Sequence, residues 1–187
     1  MFVVQIGANV GTHDTAKHLI STTKAHALLV EPNPSSFVKL QENYKGFPNI
    51  AFDQVAVSDT SGEATLYVDA HDATSDVASF HPEHLIQHGK RDVTPVQVEC
   101  VTLAELLSRH KLDVVDVLII DAEGMDARII LSTDFSKFDV QKIIFEHAHT
   151  DGAHKTEGNF LRIIRHLNRF GYFHLQVTKR DTIVCKS

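Results

Sequence analysis

The sequence predicts an α/β fold in which a mostly parallel sheet carries helices on both faces. Three observations predict it. Short apolar runs alternate with helix-length amphipathic segments along the chain's 187 residues. Several of these runs are continuously apolar, as strands covered on both faces tend to be. The last two runs are joined by a link too short for a crossover, so one strand at or near an edge must run antiparallel. With 43% hydrophobic and 22% charged residues, the chain has apolar matter for one substantial core and is too balanced to be disordered, so one domain over 1–187 is expected.

Residues 2–6 are a short apolar run ended by Gly7. Residues 12–23 have helical length and bring Ala16, Leu19 and Ile20 to one face. Ala27-Leu28-Leu29-Val30 is a buried strand stopped by Glu31-Pro32-Asn33-Pro34. Ser35 or Ser36 is placed to cap a helix through Phe37, Leu40 and Tyr44, which stops at Gly46. Residues 50–57 read as a third strand, Asp59-Thr60-Ser61-Gly62 as a turn, and 64–68 as its hairpin partner. The stretch 69–95 is polar and irregular, carries His71, His81, His84 and His88, and is expected to be an inserted flap with a short helix near 82–88. Order returns with a strand at 96–101, a helix at 103–110, a buried strand at 114–120 and a helix from about 126 to 131. A strand at 143–145 precedes an amphipathic helix at 160–169 that ends near Gly171. Strands at 172–177 and 182–186 close the chain across Lys179-Arg180-Asp181.

Charge and composition exclude several classes. Eighteen basic against 24 acidic side chains leave a formal charge of −6, which argues against a binder of nucleic-acid backbones. Cys100 and Cys185 cannot build a zinc ribbon or a disulfide framework, and both fall in runs that read as strands. No apolar run has the length of a membrane span, and the chain opens on a strand rather than a leader, so a cytoplasmic setting is expected. The 13 histidines stand out: protonating all of them would move the charge from −6 to +7.

In an open parallel sheet, ligands bind beyond the carboxyl ends of the strands. After the first strand stands Gly7-Ala8-Asn9-Val10-Gly11-Thr12, where glycines permit a tight turn and the following helix points its amides at an anion. A dinucleotide loop would need glycine at Asn9 and Thr12, and no Walker lysine is present. Glu31 follows the second strand, 20 residues beyond Gly11, where an acid can accept both hydroxyls of a ribose. A tight turn and a ribose acid without the third glycine suggest adenosine joined to a small charged group. An NAD(P)-dependent oxidoreductase and a non-catalytic adenosyl-binding module are the alternatives.

Six blocks in order carry a resemblance. They are Gln5-Ile6-Gly7-Ala8-Asn9-Val10-Gly11, Leu29-Val30-Glu31-Pro32-Asn33-Pro34, Ala56-Val57-Ser58-Asp59, Thr102-Leu103-Ala104-Glu105-Leu106-Leu107, Asp116-Val117-Leu118-Ile119-Ile120-Asp121-Ala122-Glu123-Gly124 and Ile144-Phe145-Glu146. Together, from about residue 3 to about residue 147, they resemble the FkbM-type methyltransferases. The resemblance implies the Rossmann-like class I methyltransferase sandwich, with a seven-stranded sheet and an antiparallel C-terminal strand. It implies S-adenosylmethionine as cofactor and methylation of an oxygen on a small molecule, sugar or glycolipid. By position, Gln5, Gly7, Asn9 and Gly11 would hold the methionine end of the cofactor, and Glu31 with Pro32 the ribose. Ala56 and Val57 would lie near the adenine with Asp53 beside them, and Asp121 would face the cofactor or the acceptor. Gln5 replaces an acid common in the class, so it offers the methionine ammonium a hydrogen bond without a charge.

Asp121 and Glu123 precede Gly124 where a helix should begin, a place where an acid can cap the helix as well as serve a site. Glu146-His147-Ala148-His149 follows a strand, with Asp151 and His154 nearby. With Asp121 and Glu123 these would surround an acceptor hydroxyl, and a histidine there is suited to take its proton. The same carboxylates and imidazoles suit a divalent metal, which is possible but not the favoured reading. The expected partner is a small-molecule or glycan acceptor, not a nucleic acid.

Overall fold

A computed structural model describes residues 1–12, 15–75, 77–148 and 158–187. It contains a seven-stranded sheet and a separate three-stranded one. In the larger sheet the strands are β1 (Phe2–Ile6), β2 (His26–Val30), β3 (Ile50–Asp53), β7 (Val114–Ile120), β8 (Asp139–Glu146), β9 (Tyr172–Val177) and β10 (Asp181–Lys186), in the order β3-β2-β1-β7-β8-β10-β9. The five strands from β3 to β8 are parallel, while β10 runs antiparallel to both β8 and β9. The expected α/β class and the reversed strand near one edge are therefore both present.

Because side chains alternate along a strand, the central run splits its apolar residues between two layers. Val4, Ile6, Leu28, Val30, Leu118, Ile120, Ile143 and Phe145 pack with α4 (Leu103–Arg109), α5 (Asp126–Ser132) and α6 (Gly158–Asn168). Val3, Leu29, Ile119 and Ile144 point the other way and pack with α1 (Thr15–Thr23) and α2 (Pro34–Asn43). Covering on both faces explains why these strands read as continuous apolar runs. No helix among the described residues is long and apolar enough to cross a membrane.

Three elements differ from the sequence reading. The run 50–57 is not one strand: β3 ends at Asp53, and β4 (Ala56–Ser58) belongs to the second sheet. The polar pair Asp53-Gln54 interrupts the apolar run there, and Val55 turns into the core. The segment 64–68 lies in β5 (Gly62–Asp69), which does not pair with β4. It pairs antiparallel with β6 (Val93–Thr102), which stands between β4 and β5. Leu66, Val68, Val98 and Cys100 close a small core of their own there, and the short α3 (Pro82–Gln87) packs against β5. The α2 cap is neither serine but Asn33, whose side-chain oxygen accepts the Ser35 amide at 3.1 Å, with Pro34 as first helical residue.

Candidate active site

Two clefts meet at the carboxyl end of β7. The first, about 550 Å³ with its open mouth, has apolar walls from Ile6, Val55, Val57, Leu66, Phe80 and Met125. Glu31 and Pro32 border it, as do Gly7, Asp121 and Glu123. Its geometry begins with Gly7, at φ +76°, where a Cβ would sit 1.8 Å from the Asp121 carbonyl oxygen. No side chain fits, so β1 and β7 approach there only because residue 7 is glycine. Gly11 answers to packing instead: its Cβ would meet the Tyr44 ring at 2.5 Å and Leu40 at 2.6 Å.

In the loop after β1, four backbone amides turn inward to partners in the protein. Gly7 and Ala8 both donate their amides to the Val30 carbonyl at 3.0 Å, and Gly11 donates to Ala8 at 2.9 Å. The Asn9 amide donates to Glu31 Oε2 at 2.8 Å, and Asn33 donates to Oε1 at 2.9 Å. Those amides are therefore committed inside the protein, and what the loop supports is the Glu31 carboxyl. Burial pushes that carboxyl up to about 7, against the two amide bonds that pull it down. Asn9, at φ +44°, leaves its buried side-chain oxygen without a hydrogen-bond partner among the described residues.

The second cleft, about 670 Å³, opens on the α1 face of the sheet. Register explains its lining. Gln5 lies opposite Ile119, Ile119 opposite Ile144, and Glu146 opposite Asp181, so Gln5, Asp121, Glu146 and Asp181 face one side at the ends of four adjacent strands. Asp121, Glu123 and Glu146 each bring a carboxylate oxygen within 4.8 Å of the others. Asp121 is exposed at the mouth of the cleft, yet desolvation of its carboxyl by the surrounding protein, with the neighbouring Glu146 and Glu123 adding to it, pushes it up to about 8. Burial also raises Glu146, whose bond to Arg180 opposes the shift, and holds the fully buried Asp126 well above the usual carboxylate range.

Two residues complete the site that sequence reasoning did not assign to it. Arg180 donates its Nε to Glu146 Oε1 at 2.8 Å, and its Nη2 also pairs with that oxygen. His84, from α3, places its Nε2 3.0 Å from Glu123 Oε2, and the Ser79 hydroxyl donates to the Glu123 carbonyl at 3.2 Å. The segment 69–95, expected as a polar flap, thus reaches the end of β7 and holds Glu123, itself at φ +46°. Neither residue had a sequence signal beyond its polarity.

The structure brings Gly7, Glu31, Pro32, Ala56, Val57, Asp121 and Glu123 to the first cleft. Gln5 and Glu146 stand in the second, and Asp121 belongs to both. Other expected residues are placed elsewhere. The Asp53 carboxylate turns from the cleft to His110 Nε2 at 2.7 Å and Arg109 at 3.5 Å, and only its backbone carbonyl serves the region, accepting the Glu31 amide. His147 is buried, shares a 3.1 Å hydrogen bond with the Thr182 hydroxyl and packs on Phe160, bordering neither cleft. Its place one residue beyond the end of β8 turns it to the face opposite Glu146. His149, Asp151 and His154 lie outside the described residues.

A family model for the methyltransferase FkbM domain matches residues 5–173. Hexuronic acid methyltransferase AglP of Haloferax volcanii is 25% identical over 151 residues, covering 78% of this chain and 56% of that protein. The chain therefore spans about half the length of this curated relative. Among solved structures, Aeropyrum pernix fibrillarin with natively bound S-adenosyl-L-methionine superposes with a TM-score of 0.54 at 14% identity, covering 97% of this chain and 64% of that one. Precorrin-6y C5,15-methyltransferase from Geobacter metallireducens gives 0.51 at 15% identity, covering 100% and 80%. At such identities the likeness is one of fold, and the fold is that of the class I, Rossmann-like methyltransferases.

Proposed function

The chain belongs to the FkbM methyltransferase domain family, and we propose that it transfers a methyl group from S-adenosylmethionine to a hydroxyl oxygen of a sugar. The observation that carries the reading is the sharing of Asp121 by two clefts of unlike chemistry. One is an apolar slot that carries the backbone-anchored Glu31 carboxyl, with Glu123 beside it at the Asp121 end, and the other is lined by Asp121, Glu146 and Asp181.

The first cleft fits the adenosyl group. Each Glu31 oxygen spends one lone pair on a backbone amide and keeps another, which suits a pair of ribose hydroxyls. Val55 to Val57, with Phe80 and Met125, offer flat apolar surface for the adenine. S-adenosylmethionine, when bound, supplies an electrophilic methyl group on its sulfonium. The chain then has to bind the acceptor hydroxyl, orient it and take its proton as the new bond forms. Asp121, Glu123 and Glu146 are the acceptors nearest that junction. His147 is a weaker choice for the proton, because its imidazole is already engaged by Thr182 and Phe160, and His149 lies outside the described residues.

The carbohydrate acceptor is supported by the name of the Haloferax relative and by the second cleft, whose carboxylates accept hydrogen bonds from a polyhydroxylated ring. Two assays test the proposal. Thermal-shift titration should show stabilisation by S-adenosylhomocysteine and S-adenosylmethionine and none by NAD; the reverse would overturn the cofactor assignment. Labelled S-adenosylmethionine should then transfer base-stable label to a hexuronic acid glycoside or a neutral glycoside. Base-labile label would mean ester formation at a carboxylate. Adenosyl binding without transfer to any glycoside would leave a binding module.

A further inference from the structure

We propose that Asp121, Glu123 and Glu146 bind one divalent cation of the oxygen-liganded class, Mg²⁺ or Mn²⁺. Three carboxylate oxygens from two strand ends and a loop lie within 4.8 Å of one another, close enough to share a single ion. Arg180 engages one oxygen of Glu146 and His84 one oxygen of Glu123. The Asp121 carboxylate makes no ion pair or side-chain hydrogen bond among the described residues.

A second observation points to a ligand. Gln5 is 3% exposed, borders the same cleft as Asp121 and Glu146, and leaves its side-chain carbonyl without a hydrogen-bond partner among the described residues. A buried amide oxygen bordering the cleft of Asp121 and Glu146 adds a donor suited to a hard cation, because Mg²⁺ and Mn²⁺ take oxygen where zinc and copper favour imidazole or thiolate. Asp126, 1% exposed, leaves one carboxylate oxygen equally unsatisfied, and its charge reaches both Asp121 and Glu146. Of these acids Glu146 and Asp126 are buried, and like charges crowded around them cost free energy unless protons or a cation offset them.

Six-fold coordination would leave positions beyond the protein's own oxygens. An acceptor hydroxyl there would be held and made more acidic, and an acidic sugar would be attracted to a cleft that otherwise repels it. Cation binding is read without cofactor or acceptor, so its failure and the failure of the methyl-transfer proposal are separate results.

The test is an electron paramagnetic resonance titration of chelator-treated, full-length protein with Mn²⁺ at pH 7.5. The expected result is one saturable Mn²⁺ per chain with Kd at or below the order of 1 mM, displaced by Mg²⁺. Glu123→Gln should weaken it at least roughly tenfold, while the exposed Asp139→Asn leaves it unchanged. Electron spin-echo modulation of the bound Mn²⁺ should show no directly coordinated nitrogen. Absence of saturable binding, equal binding by Glu123→Gln, or a coordinated ¹⁴N from one of the 13 histidines would each overturn the assignment. The wild-type titration and its nitrogen signal decide the matter even where a variant fails to fold.

Discussion

On one side of Asp121, Glu31 is buried with a backbone amide on each oxygen; on the other, Asp121, Glu123 and Glu146 crowd together with Arg180 and His84 at the margin. Burial raises carboxyls in both places, but the surroundings act differently. At Glu31 two backbone hydrogen bonds favour the charge against burial, whereas at Asp121 like charges add to the penalty. The first arrangement is satisfied internally and keeps lone pairs for a ligand. In the second, among the described residues, three carboxylates stand against one arginine and one histidine, which suits a site that takes up a proton or a cation. Proteins tolerate such frustration where function needs it.

The largest expected effect joins the two sides. Gly7→Ala forces a Cβ into the Asp121 carbonyl at a φ that alanine disfavours, and should destabilise the protein by about 3 kcal/mol or more, measured by urea unfolding. A loss under about 0.5 kcal/mol would mean that β1 and β7 do not need that approach.

Next, Glu31→Gln should weaken S-adenosylhomocysteine binding roughly 10- to 100-fold, the worth of hydrogen bonds to a charged acceptor. The pH dependence follows from the same group. Folded, Glu31 titrates near 7 against an ordinary 4.5, so the folded chain holds the extra proton in that window. Its contribution to stability is full below about 4.5 and is lost as pH rises toward 7. Ligand binding runs the other way, since ribose hydroxyls favour the carboxylate: affinity should rise with pH up to about 7, by at most roughly tenfold per unit. Glu31→Gln should lack both trends in calorimetric titrations and melting curves.

A smaller effect is expected at His84→Ala, which removes a neighbour of Glu123 and should change acceptor KM a few-fold with little change in cofactor affinity. Smallest of all is Asp53→Asn. Its carboxylate faces His110 and Arg109, so S-adenosylhomocysteine affinity should stay within about twofold of wild type.

Most of the large sheet was legible because strands covered on both faces must be apolar, and Ala27-Leu28-Leu29-Val30 or Val117-Leu118-Ile119-Ile120 has no other plausible place. The split at Asp53-Gln54 was not, since local pattern does not say which of two sheets a three-residue strand will join. At the site, Gly7 and Glu31 were legible by place, although Gly7 is required by the Asp121 carbonyl and its amide serves Val30 rather than an anion. His84 and Arg180 were not legible, because their partners lie 39 and 34 residues away and only tertiary packing brings them together. Histidine number alone did not single out the site: among the described residues, His84 stands beside Glu123 while His147 is held by Thr182.

The division of labour between the clefts is tested most directly by isothermal titration with S-adenosylhomocysteine of wild type, Glu31→Gln and Glu146→Gln. The structure predicts strong loss of affinity for Glu31→Gln and, for Glu146→Gln, affinity within about threefold of wild type. Equal loss in both variants, or a Glu31→Gln protein that binds as tightly as wild type, would contradict the account.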